Sequence, residues 1–266
     1  MSTYVISDVH GQFNSYEKML KKIQFDEHDV MYVLGDVIDR GPDGLHIIED
    51  IMKRKNIFLI LGNHELMLLN AIDYLAEKEA GKDSYMDSDS MNPLELWTHP
   101  CNGGEGTCLE FLNMTQERRD AIIAFLKNCC LIKRLRIEGS RYHLSHSYSM
   151  DNRFTKDEIR LKDVSVKRAE MIVWDSLFDP QFESKNGEKI LPYKRDKYIV
   201  GHIFTQRIGN MDEQGRGIIF HSDNFRGYDV TDIDCGMALN SRSSQLGCLC
   251  LETGRVYYVP LLDGIR

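Results

Sequence analysis

The chain has 266 residues, 42% of them hydrophobic and 28% charged, the balance of a soluble globular protein with room for one large domain or two small ones. A formal charge of −8 argues against a nucleic-acid or anionic-membrane binder, since both partners call for a basic face. No apolar run reaches the length of a membrane span, and "MSTYVISDVHG" carries no basic and apolar leader, so the expectation is a cytoplasmic protein that partners neither nucleic acid nor membrane.

The first third alternates strand and helix. "TYVIS" (3–7) is a short run of β-formers. "FNSYEKMLKKI" (13–23) follows with Phe13, Tyr16, Leu20 and Ile23 at helical spacing, and Asn14 with Glu17 forms a capping-box pattern. "DVMYVL" (29–34) predicts the second strand. "DGLHIIEDIMKRK" (43–55) predicts a helix with Asp43 as its N-cap, and "IFLIL" (57–61) a third strand, with a helix from about Glu65. Strands joined by helices of this length imply right-handed βαβ units in a parallel or mixed sheet.

The middle of the chain differs. Residues 80–92 are polar and poorly periodic, which predicts an exposed loop. Residues 93–130 predict helices, the clearest being "TQERRDAIIAFLKNCC" capped by Thr115. "LIKRLRIEGSRYHLSHS" (131–147) predicts a β-hairpin turning at Glu138-Gly139-Ser140. Residues 150–195 are charged and irregular apart from a short helix near 164–177. Short strands resume at "KYIVGH" (197–202) and run to "RVYYVPLL". With no repeat and no Pro/Gly-rich linker, residues 1–266 are expected to form a single domain with insertions at about 80–130 and 150–195. The seven cysteines are an odd number without CxxC spacing, so reduced thiols are expected, outside the chemistry.

One feature recurs at the strand ends. "YVIS" leads into Asp8-Val-His10, "MYVL" into Gly35-Asp36, "FLIL" into Gly62-Asn63-His64-Glu65, "YHLS" into His146, and "YIV" into Gly201-His202. Any one of these reads as a turn with a cap or as a packed imidazole; five in one chain do not. The carboxyl ends of parallel strands converge on one crevice, and oxygen and imidazole donors delivered there describe a metal cluster.

These residues carry a family resemblance. "SDVHG" (7–11), "GDVIDRG" (35–41) and "GNHE" (62–65) are similar to the GDxHG, GDxxDRG and GNHE motifs of the metallophosphoesterases, and within them of the phosphoprotein phosphatase family. "LSHS" and "VGHI" match the later histidine positions, and "DIDCG" (232–236) the Asp-x-Gly turn. "LWTHPCNGGEGT" (96–107) resembles the Trp…Asn-Gly-Gly segment of the bacterial and phage branch. The resemblance implies an α/β fold of the calcineurin-like type, a β-sandwich of mixed sheets flanked by helices with a helical insertion.

It also implies roles. Two divalent metal ions, Mn²⁺ first with Fe or Zn²⁺ as alternatives, would sit roughly 3.5–4 Å apart and hold a hydroxide for in-line attack on phosphorus. Asp36 would bridge them, with Asp8 and His10 completing one site and Asn63, His146 and His202 the other. Arg40 would fork onto the phosphate, with Asn63 beside it. His64 would protonate the leaving group, and Asp39 would hold His64 as imidazolium.

Four positions depart from the pattern. Ser7 replaces a glycine, and Ser147-Tyr148 and Ile203 follow the two later histidines where the family has other residues. Ser176 stands where a second phosphate-binding arginine is expected after Trp174, leaving Arg153, Arg160 and Arg168 as candidate substitutes. The first expectation is a serine/threonine protein phosphatase acting on a phosphoprotein or phosphopeptide, with phosphotyrosine as a further option. The alternative is a symmetrical bis(5'-nucleosyl)-tetraphosphatase of the same fold. Those enzymes tend to lack the aspartate of GDxxDRG and to carry GNHD, whereas Asp39 and Glu65 are present here. A silent phosphate- or metal-binding module ranks last, because it would lack a ligand or the acid.

Overall fold

The computed structural model describes residues 1–82, 90–147, 156–178 and 195–261. β1 (Thr3–Ile6), α1 (Phe13–Lys22), β2 (Val30–Leu34), α2 (Gly44–Lys53), β3 (Ile57–Ile60) and α3 (Asn63–Glu79) form the alternating first third. Their strands pair in parallel, with Ile6 opposite Val33 and Leu34 opposite Ile60. The helical segment resolves into α4 (Pro93–Thr98), α5 (Glu105–Asn113) and α6 (Gln116–Asn128). The hairpin is β4 (Cys130–Ile137) with β5 (Ser140–Ser145), turning through Glu138 and Gly139, both at positive φ. β6 (Glu158–Arg160) and α7 (Val166–Trp174) come next. β7 (Lys197–Val200), β8 (Phe220–Phe225), β9 (Tyr228–Asp232), β10 (Gln245–Cys250) and β11 (Val256–Pro260) complete the order.

All eleven strands among the described residues join one mixed sheet in the order β11-β10-β1-β2-β3-β4-β5-β7-β9-β8, with β6 added on β4. The sheet curls on itself. Val5, Leu34 and Ile60 from β1, β2 and β3 share a buried cluster with Leu144, Ile199 and Leu249 from β5, β7 and β10. Tyr142 on β5 donates its hydroxyl to the Leu251 carbonyl just after β10, at 2.9 Å, although four strands separate β5 from β10 in the sheet order. The alternate residues of the first strands, Tyr4, Ile6, Met31, Val33, Ile57 and Leu59, face the other way and pack under the helices with Tyr16, Met19, Leu45 and Ile48. Burial on both faces explains why these strands read as continuous apolar runs rather than alternating ones. Tyr198, Val200, Tyr228 and Val230 cover the outer face of the second half with Leu177.

Two local expectations are corrected. α1 starts at Phe13 with Gln12 at its N-cap and no side-chain cap, so Asn14 and Glu17 lie inside the helix. Asp43 does precede α2, but its side chain makes no capping bond. Thr115 caps α6, accepting from the Arg118 N–H at 3.4 Å.

Candidate metal centre

Two parallel sets, β1-β2-β3 and β5-β7-β9, point their carboxyl ends at the same rim once the sheet curls. Asp8 follows β1, Asp36 follows β2, Asn63 opens α3 after β3, His146 follows β5, His202 follows β7 and Asp234 follows β9. The chain turns sharply there. Of ten described non-glycine residues with positive φ, six belong to this rim: Asp8, His10, Asp36, Asp39, Arg40 and His202, at φ between 46° and 73°. Such conformations cost of order 1–3 kcal/mol each and persist where the surroundings over-determine them. Glycine is obligatory beside them. A Cβ on Gly62 would collide with the Asp36 carboxylate and backbone N, and one on Gly201 with the Ser7 hydroxyl and the Asp8 carboxylate.

The donor atoms converge around Asp36. His146 Nδ1 donates to the Leu34 carbonyl at 2.7 Å, which leaves the lone pair of the neutral ring on Nε2. That atom lies 2.9 Å from Asn63 Oδ1, 3.2 Å from His202 Nδ1 and 3.5 Å from Asp36 Oδ1. Acceptors facing acceptors at these distances fit a cation between them. On the other side, His10 Nδ1 donates to the Ile38 carbonyl at 3.1 Å and turns Nε2 toward Asp36 Oδ2, 3.8 Å away. The atoms of Asp36, His146 and His202 form one group within 4.8 Å of one another, and those of His10, Asp36 and His64 a second. Mixed oxygen and nitrogen donors without thiolate suit a divalent first-row ion.

Asp8 belongs to neither group. Its Oδ2 accepts from the Ser7 hydroxyl and from the His202 N–H at 3.1 Å, which ties the ends of β1 and β7 together. Ser7 also reaches the Leu34 carbonyl at 3.1 Å, so the departure from glycine contributes a hydroxyl to this seam. His64, expected as the proton donor, lies with His10 and Asp36, its Nε2 3.7 Å from Asp36 Oδ2.

Asp39 meets His64 as expected, with Nδ1 2.6 Å from Oδ2. The Trp97 indole N–H donates to both oxygens of Asp39, at 3.0 and 3.3 Å, and the Asp39 N–H donates to the Thr107 hydroxyl at 3.2 Å. The Asn-Gly-Gly segment packs here too: the Arg40 N–H donates to the Gly103 carbonyl at 3.2 Å. Burial, aided by the Arg40 charge, lowers His64 to about 3, while burial raises Asp39 to about 7 despite its Thr107 and Trp97 bonds. Burial thus works against the charged form of each partner.

Glu65 is a residue whose task the sequence left unread. Its carboxylate accepts from the N–H groups of Asp36 at 2.9 Å, Val37 at 2.8 Å and Gly62 at 3.0 Å, with Ile38 at 3.4 Å. It holds the loop after β2 against the start of α3. The readable signal was its N3 position in the first turn of that helix, where a capping glutamate reaches back. Asp234 was likewise noted only as part of a turn. It is buried and raised to about 7 by burial, with the Gly236 N–H and the Arg40 charge pulling the other way.

The electrostatics fit cations. Burial raises Asp8 well above the carboxylate range, and the charges of Asp234 and Asp36 push in the same direction; burial and Glu65 do the same to Asp36. Burial lowers His10 and His146 well below their usual value and His202 to about 4, the last aided by His64 and Arg207. Crowded carboxylates and neutral imidazoles are the state in which positive ions gain most.

Among the candidate phosphate arginines, Arg160 is committed to Glu158, at 2.5 Å, and to the Asn128 carbonyl, at 2.9 Å. Arg168 sits on α7, and Arg153 and Tyr148 lie outside the described residues. Ser176 is buried and its hydroxyl accepts from the Phe178 N–H at 3.1 Å. No described helix is long and apolar enough to cross a membrane.

Residues 1–203 match the family model of the calcineurin-like phosphoesterases. Among curated proteins, the chain is 43% identical over 125 residues to a symmetrical bis(5'-nucleosyl)-tetraphosphatase of Buchnera aphidicola subsp. Schizaphis graminum (strain Sg), covering 45% of this chain and 42% of that protein. It is 45% identical over 71 residues to the same-named protein of Wigglesworthia glossinidia brevipalpis, covering 26% of each. The chain thus spans less than half the length of the relatives it matches. Among solved structures, a putative diadenosine tetraphosphatase superposes with a TM-score of 0.57 at 15% identity, covering 98% of this chain and 94% of that one. A protein serine/threonine phosphatase from Saccharomyces cerevisiae gives 0.55 at 14%, covering 99% and 81%. These likenesses are of fold.

Proposed function

Because the chain belongs to the calcineurin-like phosphoesterases, metal-dependent hydrolases built around a dinuclear divalent centre, we propose that it splits bis(5'-nucleosyl) tetraphosphates symmetrically into two nucleoside diphosphates. The observation that carries the choice of substrate is the 43% identity over 125 residues to a protein of that name. This reverses the order expected from the motifs, in which a protein phosphatase ranked first.

In this reading Asp8, His10, Asp36, Asn63, His146 and His202 would hold the two ions. When bound, the pair neutralises phosphate oxygens and acidifies the attacking water. The protein supplies the rest. Arg40, exposed at the mouth, forks onto non-bridging oxygens. His64, oriented through Nδ1 by Asp39, presents Nε2 to the leaving oxygen. Trp97 and Thr107 fix Asp39, and Glu65 fixes Asp36.

A second reading, phosphoserine or phosphothreonine hydrolysis, is favoured by one observation. Asp39 and Glu65 are both present and both engaged, and the 2.6 Å contact between Asp39 and His64 serves a leaving group that needs a proton. A serine alkoxide needs one; a nucleoside diphosphate leaves as a stable anion. A Mn²⁺-supplemented assay comparing diadenosine tetraphosphate, a phosphoserine peptide and p-nitrophenyl phosphate decides the matter. The proposal expects the highest kcat/KM for the first, with ADP as the product. A higher kcat/KM for the peptide overturns it.

A further inference from the structure

Trp174 ends α7 on the rim of the metal centre and takes no part in the roles above. Its indole meets the His202 ring at right angles, with 5.8 Å between centroids, yet 38% of the residue is exposed. The other tryptophan, Trp97, is 1% exposed. A perpendicular contact uses one edge or one face of an indole and leaves the remainder open.

The segment that carries the ring is also held in place. Ile172 and Val173 before it lie in the core, and Leu177 after it is buried. The Ser147 hydroxyl, adjacent to His146, donates to the Asp175 carbonyl. The segment carrying Trp174 is therefore fastened to the strand end that delivers His146. Beside His202, then, lies an open aromatic surface suited to a flat heterocycle.

We propose that Trp174 is a stacking platform for a nucleobase of the substrate. Every nucleobase presents a π-face, so such a platform binds purine nucleotides without reading sequence or polar edges. The inference rests on the reading of the substrate as a dinucleoside tetraphosphate.

Two measurements test it. Trp174→Ala should lower the ratio of kcat/KM for diadenosine tetraphosphate to that for p-nitrophenyl phosphate by about tenfold, the scale of one base–aromatic stack. Trp174→Tyr should recover most of the loss, with metal content as in the wild type. Separately, titration with ADP should quench tryptophan emission of the wild type, and the quench should vanish in Trp174→Phe, in which only buried Trp97 emits. An unchanged ratio in Trp174→Ala, or quenching that survives in Trp174→Phe, overturns the platform. If the wild type fails to cleave diadenosine tetraphosphate, the proposed reaction falls, and the ADP quench still decides the role of Trp174.

Discussion

Replacing Glu65 with glutamine removes one negative charge from a buried carboxylate whose two oxygens accept from backbone N–H groups. One oxygen accepts from Asp36 and Gly62, the other from Val37 at 2.8 Å with Ile38 at 3.4 Å. An amide keeps a single acceptor oxygen. Whichever way it is placed, its NH₂ opposes the N–H groups on the other side. At least one good charge-assisted bond becomes a donor-to-donor contact in a fully buried site. Such bonds are worth about 1.5–3 kcal/mol each, and a stranded N–H costs about 1–3 kcal/mol, so a loss of about 3 kcal/mol is expected. In a chain of this size that corresponds to roughly 6–12 °C in melting temperature. Burial raises the pKa of Glu65 while the backbone donors pull it down, so the substitution also asks which wins. Thermal melts with and without chelator, paired with metal content, give the answer: the variant should melt lower in both conditions and bind metal more weakly, since the Asp36 loop loosens. An unchanged melting temperature would mean that Glu65 is held as the neutral acid and that the loop does not depend on its charge.

Asp36→Asn should remove both metal ions together, measured by elemental analysis; one tightly held ion would show that Asp36 is not shared. His64→Ala should lower kcat on a phosphoserine peptide by roughly 10²–10⁴ and on diadenosine tetraphosphate by far less, because a diphosphate leaves without a proton; equal losses would remove proton donation as its role. Trp97→Phe deletes the indole N–H bonds to Asp39 and should cost about 1–3 kcal/mol, read as a lower denaturation midpoint, whereas a midpoint shift under about 0.5 kcal/mol would show those bonds to be idle. His143, buried against Tyr198, is lowered to about 3 by burial and by the Arg134 charge, so unfolding takes up a proton there below its ordinary pKa of 6.5. Its contribution is complete above pH 6.5 and is lost as pH falls from there toward 3. His143→Phe should therefore flatten the acid limb of stability by about 1.4 kcal/mol per pH unit in that window, and an identical slope in the variant would contradict it.

Much of the site was legible because its donors lie immediately after short apolar strands. Asp8, Asp36 and Asn63 could be placed from the local βαβ rhythm alone. His146 and His202 required a pairing of β5 with β7 across residues 146–197, and long-range pairing leaves no local periodicity to read. The curl of the sheet was illegible for the same reason: Val5 and Ile199 share a cluster while lying almost two hundred residues apart. Supporting groups were harder still. Thr107 looks like any helical threonine until the Asp39 N–H is seen to donate to it. The burial that works against charge on Asp39 and His64 is likewise visible only in the fold. The cap expected at Asn14 failed because the apolar residue Phe13 already belongs to the helix.

The distribution of the donors along the chain has a consequence for biosynthesis. Residues 8 to 64 bring four of the six proposed donors, yet His146 and His202 emerge only after three further helices and the hairpin have been made. A nascent chain stalled before β7 carries the crowded acids without His202, the last imidazole of the cage. Ion capture is thus expected to be a late event, and fragments ending before Gly201 are expected to be inert, however well their first strands assemble.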